Sequence, residues 1–146
     1  MNSNLPVTYP PDTSRFISNT RVLFGGLFAA GKPVYINRAP GRLDLMGGND
    51  DYTGGLVFET TIEEATFFAA QLRDDSRFVL HNPSVRSIGW QETIEFDLAD
   101  FSTQGDVRSL EDVRKWINRD PRQSWFAYIV GNLYFLKQQY PQQVTH

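Results

Sequence analysis

The chain has 146 residues, 40% of them hydrophobic and 14% aromatic, which is enough apolar material for one globular domain with a core of its own. Its net charge of −3 and its scattered lysines and arginines exclude the clustered basic face that nucleic acid or an anionic membrane requires. With no cysteine and two histidines, His81 and His146, it also excludes disulfides, thiol nucleophiles and a histidine-rich metal site.

The opening "MNSNLPVTYPPD" is polar and broken by prolines, without the basic and apolar regions of a signal sequence. No stretch reaches the ~20 apolar residues of a membrane span. Residues 1–12 are therefore expected to form a flexible leader, and the expected setting is cytoplasmic. Next, "TSRFISNTRVLFGGLFAAGKP" places Phe16, Ile17, Thr20, Leu23, Phe24, Leu27 and Phe28 at helical spacing, with Asp12 or Ser14 as cap. The spacing predicts a helix that ends by Gly31, because Pro33 cannot continue it. Gly25 and Gly26 within it cost about 1 kcal/mol each relative to alanine.

"VYINR" then reads as a short strand, and "LVFETTIEEATFFAAQL" carries the Val, Ile, Thr and Phe enrichment of a second. "RFVLH" is a third. In "ETIEFDL" the alternation sets Ile94, Phe96 and Leu98 on one face and Thr93, Glu95 and Asp97 on the other, the pattern of a half-buried antiparallel strand. Ser109 and Asp112 open a short helix with Val113, Trp116 and Ile117 on its apolar side. A last helix begins with Asp120 as cap, Pro121 at its first position and Gln123 reaching back, and carries Trp125, Tyr128, Ile129, Leu133 and Leu136 on one stripe before Pro141 closes it. Strands followed by helices give an α+β arrangement.

Two glycine-rich stretches invite a functional reading. Gly26 to Lys32, "GLFAAGK", has the G-x-x-x-x-G-K spacing of a phosphate-binding loop. Pro33 stands where a Ser or Thr hydroxyl would reach magnesium, no strand precedes the stretch, and no helix can start there, so it is read as a helix end closed by glycine. The second stretch, "APGRLDLMGGNDDYTGG" over residues 39–55, lies between two predicted strands. Turns are expected at Pro40–Gly41, Gly47–Gly48 and Gly54–Gly55, which would keep the backbone clear of side-chain bulk and let a ligand approach it. Arg42 and Asp44 have a plainer reading as an ion pair on one strand face.

The string "APGRLDLMGG" followed by "DYTGGLVF" resembles the first signature motif of the GHMP kinases, in the branch of galactokinase and arabinokinase. The resemblance extends more weakly to "WFAYIVGNLYFLKQQYP" and covers about residues 33–141. It implies a mixed, largely antiparallel sheet packed by helices, with residues 13–146 forming part of the N-terminal sugar-binding domain of a sugar 1-kinase. It places Arg42 beside the anomeric hydroxyl as the catalytic residue and Asp51 on the ring hydroxyls, where an acceptor-only carboxylate suits a ligand made of donors.

Gly48 and Asn49 stand where galactokinase has Glu-His, the pair that reads the hydroxymethyl group of galactose. The glycine version is similar to arabinokinase, and L-arabinose lacks that group. Gly48, Asn49, Asp50 and Tyr52 join Asp51 as substrate-binding candidates, although Asn49 and Asp50 also suit turns and Tyr52 is expected to pack under the loop. The resemblance implies ATP and Mg²⁺ as cofactors of a complete enzyme. The family's nucleotide loop and catalytic aspartate are not found in these residues, so this chain is expected to be an N-terminal part that binds neither cofactor well and is inactive alone. The expected partner is a small sugar, with self-association through an exposed sheet edge. A non-catalytic sugar sensor related to galactokinase is the alternative.

Overall fold

The computed structural model describes residues 8–103, 106–141 and 143–144; the side chains of Asp51, Thr103 and Asp106 fall outside the description. The chain divides into two compact units, Met1–Leu72 and Arg73–His146. Its elements are α-helices and antiparallel strand pairs, the α+β class expected from the order of strands and helices. Among the described residues the strands form three two-stranded ladders, all antiparallel.

In the first unit, α1 spans Pro11–Phe24 and leads into a long hairpin of β1, Tyr35–Met46, and β2, Phe58–Ala70. The helix starts differently from expectation. Pro11 occupies its first position, where a missing N–H costs nothing, and neither Asp12 nor Ser14 caps it. Asp12 lies inside the first turn, a favourable place for a carboxylate, and reaches out to Arg38 of β1 at 2.8 Å. The α-helix also ends at Phe24, short of the expected Gly31, because the Gly25–Gly26 pair tightens into a 3₁₀ turn over Gly25–Leu27. Leu23, within α1, and Leu27, in the 3₁₀ turn, both expected on the apolar face, are exposed.

A ring stack and an ion pair join α1 to the hairpin. Phe16 stacks on Phe67 at 4.8 Å, and the Arg38 guanidinium lies over the same ring at 5.9 Å while it bonds Asp12. The Arg38 hydrogen bond holds the Asp12 carboxyl below the usual carboxylate range. A carboxyl whose pKa is depressed by folding stabilises the fold above its unfolded pKa, and that contribution is lost as pH falls through the folded value. Asp12→Asn is therefore expected to lower the melting temperature at pH 7 and to match wild type once the pH is well below 4. Paired melts across that range check it, and a gap that persists in acid would show that charge is not the cause.

The second unit carries the buried core. β3 (Arg77–His81) pairs antiparallel with β4 (Thr93–Asp97), as the alternation in the sequence predicts, and Ile94, Phe96 and Leu98 are buried. Phe96 stacks on Phe78 at 5.0 Å and meets Phe101, Trp116 and Phe126 edge-on or tilted. A short ladder of β5 (Ser102–Thr103) and β6 (Asp106–Val107) precedes α2, Leu110–Ile117. Ser109 caps α2 as expected, accepting from the Asp112 amide.

The last helix is corrected in two respects. Asp120 does cap and Pro121 does begin the segment, but Pro121–Phe126 is 3₁₀ and the α-helix, α3, runs Ala127–Gln139. Gln123 does not reach back to the cap; its amide donates to Gln91 Oε1 at 2.6 Å, and Trp125 donates to the Gln91 carbonyl. The change from three to 3.6 residues per turn rotates the buried face. Phe126, Val130 and Tyr134, four apart, enter the core, and Trp125, Ile129 and Leu133 of the expected stripe pack against it, whereas Tyr128 is 84% exposed and Leu136 is also exposed.

Candidate functional site

The hairpin of the first unit is interrupted twice. Pro40 pairs with Ala65 and Arg42 with Thr61, so three residues of β2, 62–64, face Gly41 alone. Proline has no N–H for the ladder, and a Cβ on Gly41 would lie 3.0 Å from Ile62. The turn expected at Pro40–Gly41 is therefore a bulge inside a continuous strand, braced by Arg38, which donates to the Glu63 carbonyl at 2.8 Å. A second shift, between Asp44 and Met46, lets β1 run into the loop.

The loop from Gly47 to Val57 closes on its own backbone. Gly47 has φ +81°, and a Cβ there would sit 2.6 Å from the Leu56 carbonyl, so glycine is required on both counts. Asp50 donates from its amide to the Gly47 carbonyl at 2.7 Å. The Asp50 carbonyl in turn accepts from the Thr53 amide at 3.0 Å, the Gly55 amide at 2.9 Å and the Thr53 hydroxyl at 2.8 Å. A 3₁₀ turn at Asp51–Thr53 completes the loop, and the turns expected at Gly47–Gly48 and Gly54–Gly55 are present.

Arg42 stands in β1 between the Gly41 bulge and this loop. Side chains two apart on a strand share a face, and cross-strand partners share it as well. Asp44, two residues on, and Glu59, paired with Asp44 across the hairpin, are thereby on the face of Arg42. Arg42 Nε lies 2.9 Å from Asp44 Oδ1, and its Nη1 lies 3.3 Å from Glu59 Oε2, with the Arg42 side chain 57% exposed. The arrangement is a planar guanidinium held at two edges by carboxylates from two strands. A group that presents donors in a fixed plane suits an anionic or electron-rich oxygen.

The remaining candidates divide. Gly48 packs closely against the Asp44 carboxylate, since a Cβ there would lie 2.8 Å from Oδ2. Asn49 and Asp50 are on the exposed side of the turn, and Asp50 works mainly through its backbone. Tyr52 is 91% exposed, so it does not pack under the loop as expected, because the loop closes through backbone bonds and leaves no cover for a ring. The Asp51 side chain lies outside the described residues. Glu59 was not singled out in the sequence. Its signal was available only through register, because 44 and 59 become neighbours once the loop length between the two strands is known.

The G-x-x-x-x-G-K stretch offers no phosphate cradle. Gln71 holds it shut, accepting from the Ala29 amide at 2.7 Å and donating to the Ala29 and Lys32 carbonyls at 3.0 and 3.2 Å. Among the described residues no group of three or more acidic, histidine or cysteine side chains could hold a metal ion. No helix among them is long and apolar enough to cross a membrane.

The galactokinase galactose-binding signature matches residues 23–72, the helix end, hairpin and loop just described. L-arabinokinase of Arabidopsis thaliana is 33% identical, across 77% of this chain and 13% of that protein. Galactokinase of Lactococcus lactis subsp. cremoris (strain MG1363) is 31% identical, across 86% of this chain and 27% of that enzyme. Galactokinase of Staphylococcus carnosus (strain TM300) is 34% identical, across 68% and 21%. No solved structure matches. The chain spans between 13% and 27% of the length of these relatives. It is a relative of the galactokinases and of an L-arabinokinase over part of their length, and it carries their galactose-binding signature.

Proposed function

We propose that the hairpin and loop of residues 35–58 hold a monosaccharide, and that the protein is an ATP-dependent sugar 1-kinase of the GHMP type, represented here by its sugar-facing N-terminal part. The carrying observation is the guanidinium of Arg42, fixed by Asp44 and Glu59 at the root of the glycine-rich loop, inside the stretch that matches the galactokinase signature. In this reading Arg42 donates to the anomeric oxygen and stabilises the negative charge that develops there on reaction. Asp51 accepts from ring hydroxyls, and the loop backbone around Gly48, Asn49 and Asp50 lines the approach, with Tyr52 free to fold over the sugar.

Gly48 and Asn49 bring neither carboxylate nor imidazole to a hydroxymethyl group, which favours a pentose such as L-arabinose over galactose. ATP and Mg²⁺ would serve the complete enzyme. Residues 26–32 do not fit a nucleotide phosphate, since Gln71 already occupies that backbone. A second reading, a non-catalytic sensor related to galactokinase, would use the same sugar-holding loop without turnover. A cytoplasmic setting goes with both.

Calorimetric titration of the chain with L-arabinose and with galactose, with and without ATP and Mg²⁺, tests the proposal. The expected result is binding of L-arabinose at least as tight as that of galactose, with no release of ADP from this chain alone. Clear selectivity for galactose would sink the pentose preference, and sugar-dependent ADP would sink the claim of inactivity. The outer edges of β1 and β2 are unpaired among the described residues and would mediate self-association. The mass of the titrated species by gel filtration reads this in the same preparation, and a monomer at every concentration would exclude it.

A further inference from the structure

We infer that Asp44 is a positioning residue for Arg42, and that residue 48 is glycine because the Asp44 carboxylate fills the space a side chain there would need. The consequence for binding rests on the sugar-holding reading above; the geometry does not. One oxygen of Asp44, Oδ1, takes Arg42 Nε at 2.9 Å. The other, Oδ2, faces the loop, where a Cβ on Gly48 would lie 2.8 Å away, with Asp44 Cβ and Cγ each at 3.1 Å. Real β-carbons are essentially never found as close as 2.8 Å.

The carboxylate cannot move aside without leaving Arg42. Glu59 alone meets the guanidinium at a terminal nitrogen, 3.3 Å away, and one such contact leaves the plane free to turn. An exposed ion pair of this kind contributes little stability, so its effect lies in orientation. Asp44 thus couples strand to loop. A carboxylate at 44 in this orientation and a side chain at 48 exclude one another, and any residue larger than glycine at 48 acts on Arg42 without touching it.

The test reads the Nε–Hε resonance of Arg42 in the ¹⁵N-labelled chain, identified by its loss in Arg42→Lys, beside calorimetric titration with L-arabinose and galactose. Wild type should show slow Hε exchange. Asp44→Asn should speed that exchange and weaken sugar binding about tenfold, and Gly48→Ala should do the same although it removes no charge. The double variant should be no worse than Asp44→Asn, because both act through one contact. Three results would overturn the inference: wild-type Hε exchange as fast as in Asp44→Asn, an unchanged Hε in Gly48→Ala, or effects that multiply in the double variant. If no sugar binds to wild type, the sugar-holding reading fails, and the Hε measurements still decide the role of Asp44.

Discussion

Arg42→Ala is expected to weaken sugar binding by about 2 kcal/mol, roughly thirtyfold, at almost unchanged melting temperature. The magnitude is that of a hydrogen bond to a charged group. It is increased by what remains, because Asp44 and Glu59 would then face the ligand without their shared counter-charge. The fold should tolerate the change because the side chain is exposed and most surface substitutions shift stability by no more than about 0.5 kcal/mol. Arg42→Lys should recover only part of the affinity, since an ammonium keeps the charge but cannot span two carboxylates and still present a flat edge to the ligand. Calorimetry and a thermal melt on the same samples check both. Wild-type affinity in the alanine variant would remove Arg42 from the site.

The second large effect belongs to the other unit. Phe101 is fully buried and meets Phe96, Trp116 and Tyr134 at centroid distances of 5.9, 5.8 and 6.4 Å. Phe101→Ala is expected to cost about 4 kcal/mol, through lost transfer energy and the cavity left among rings that cannot collapse into it. That is a large part of the whole stability of a small domain. Loss of near-ultraviolet dichroism from the aromatic cluster, with a lowered melting temperature, is the expected observation. Phe101→Leu, which keeps more of the volume, should retain much of both signals. An alanine variant that melts like wild type would mean the cluster is not the centre of the core.

What the sequence disclosed and what it hid follow from physics that can be named. β4 was legible because half-burial writes a period of two, and the S-x-x-D start of α2 was legible because capping is local. The last stripe holds at Trp125, Ile129 and Leu133, which pack against the core, and fails at Tyr128 and Leu136, because a six-residue 3₁₀ segment precedes α3 and a change of pitch leaves no mark in composition. The early end of α1 was signalled by Gly25 and Gly26, but their cost was set against an apolar pattern that continues past them. At the candidate site, Arg42 and the loop glycines stand out by motif. Glu59 does not, since its meeting with Arg42 depends on register across the hairpin and on two bulges that shift it. Pro40–Gly41 reads as a turn because that dipeptide usually is one; here a bulge uses the same two properties, a missing N–H and a missing Cβ.

The closure of the loop on the Asp50 carbonyl has one more consequence. Three donors converge on a main-chain oxygen, and the side chains at positions 49 and 52 take no part in that convergence. The scaffold of the loop is thereby separated from the chemistry it displays. Substitutions at Asn49 and Tyr52 can be explored, by drift or by selection, without dismantling the turn that presents them, and in the sugar-holding reading a lineage carrying this hairpin would change its preferred ligand in single steps. Gly47 has no such latitude, since its φ and the Leu56 carbonyl both require glycine, and the freedom of its neighbours depends on its constancy.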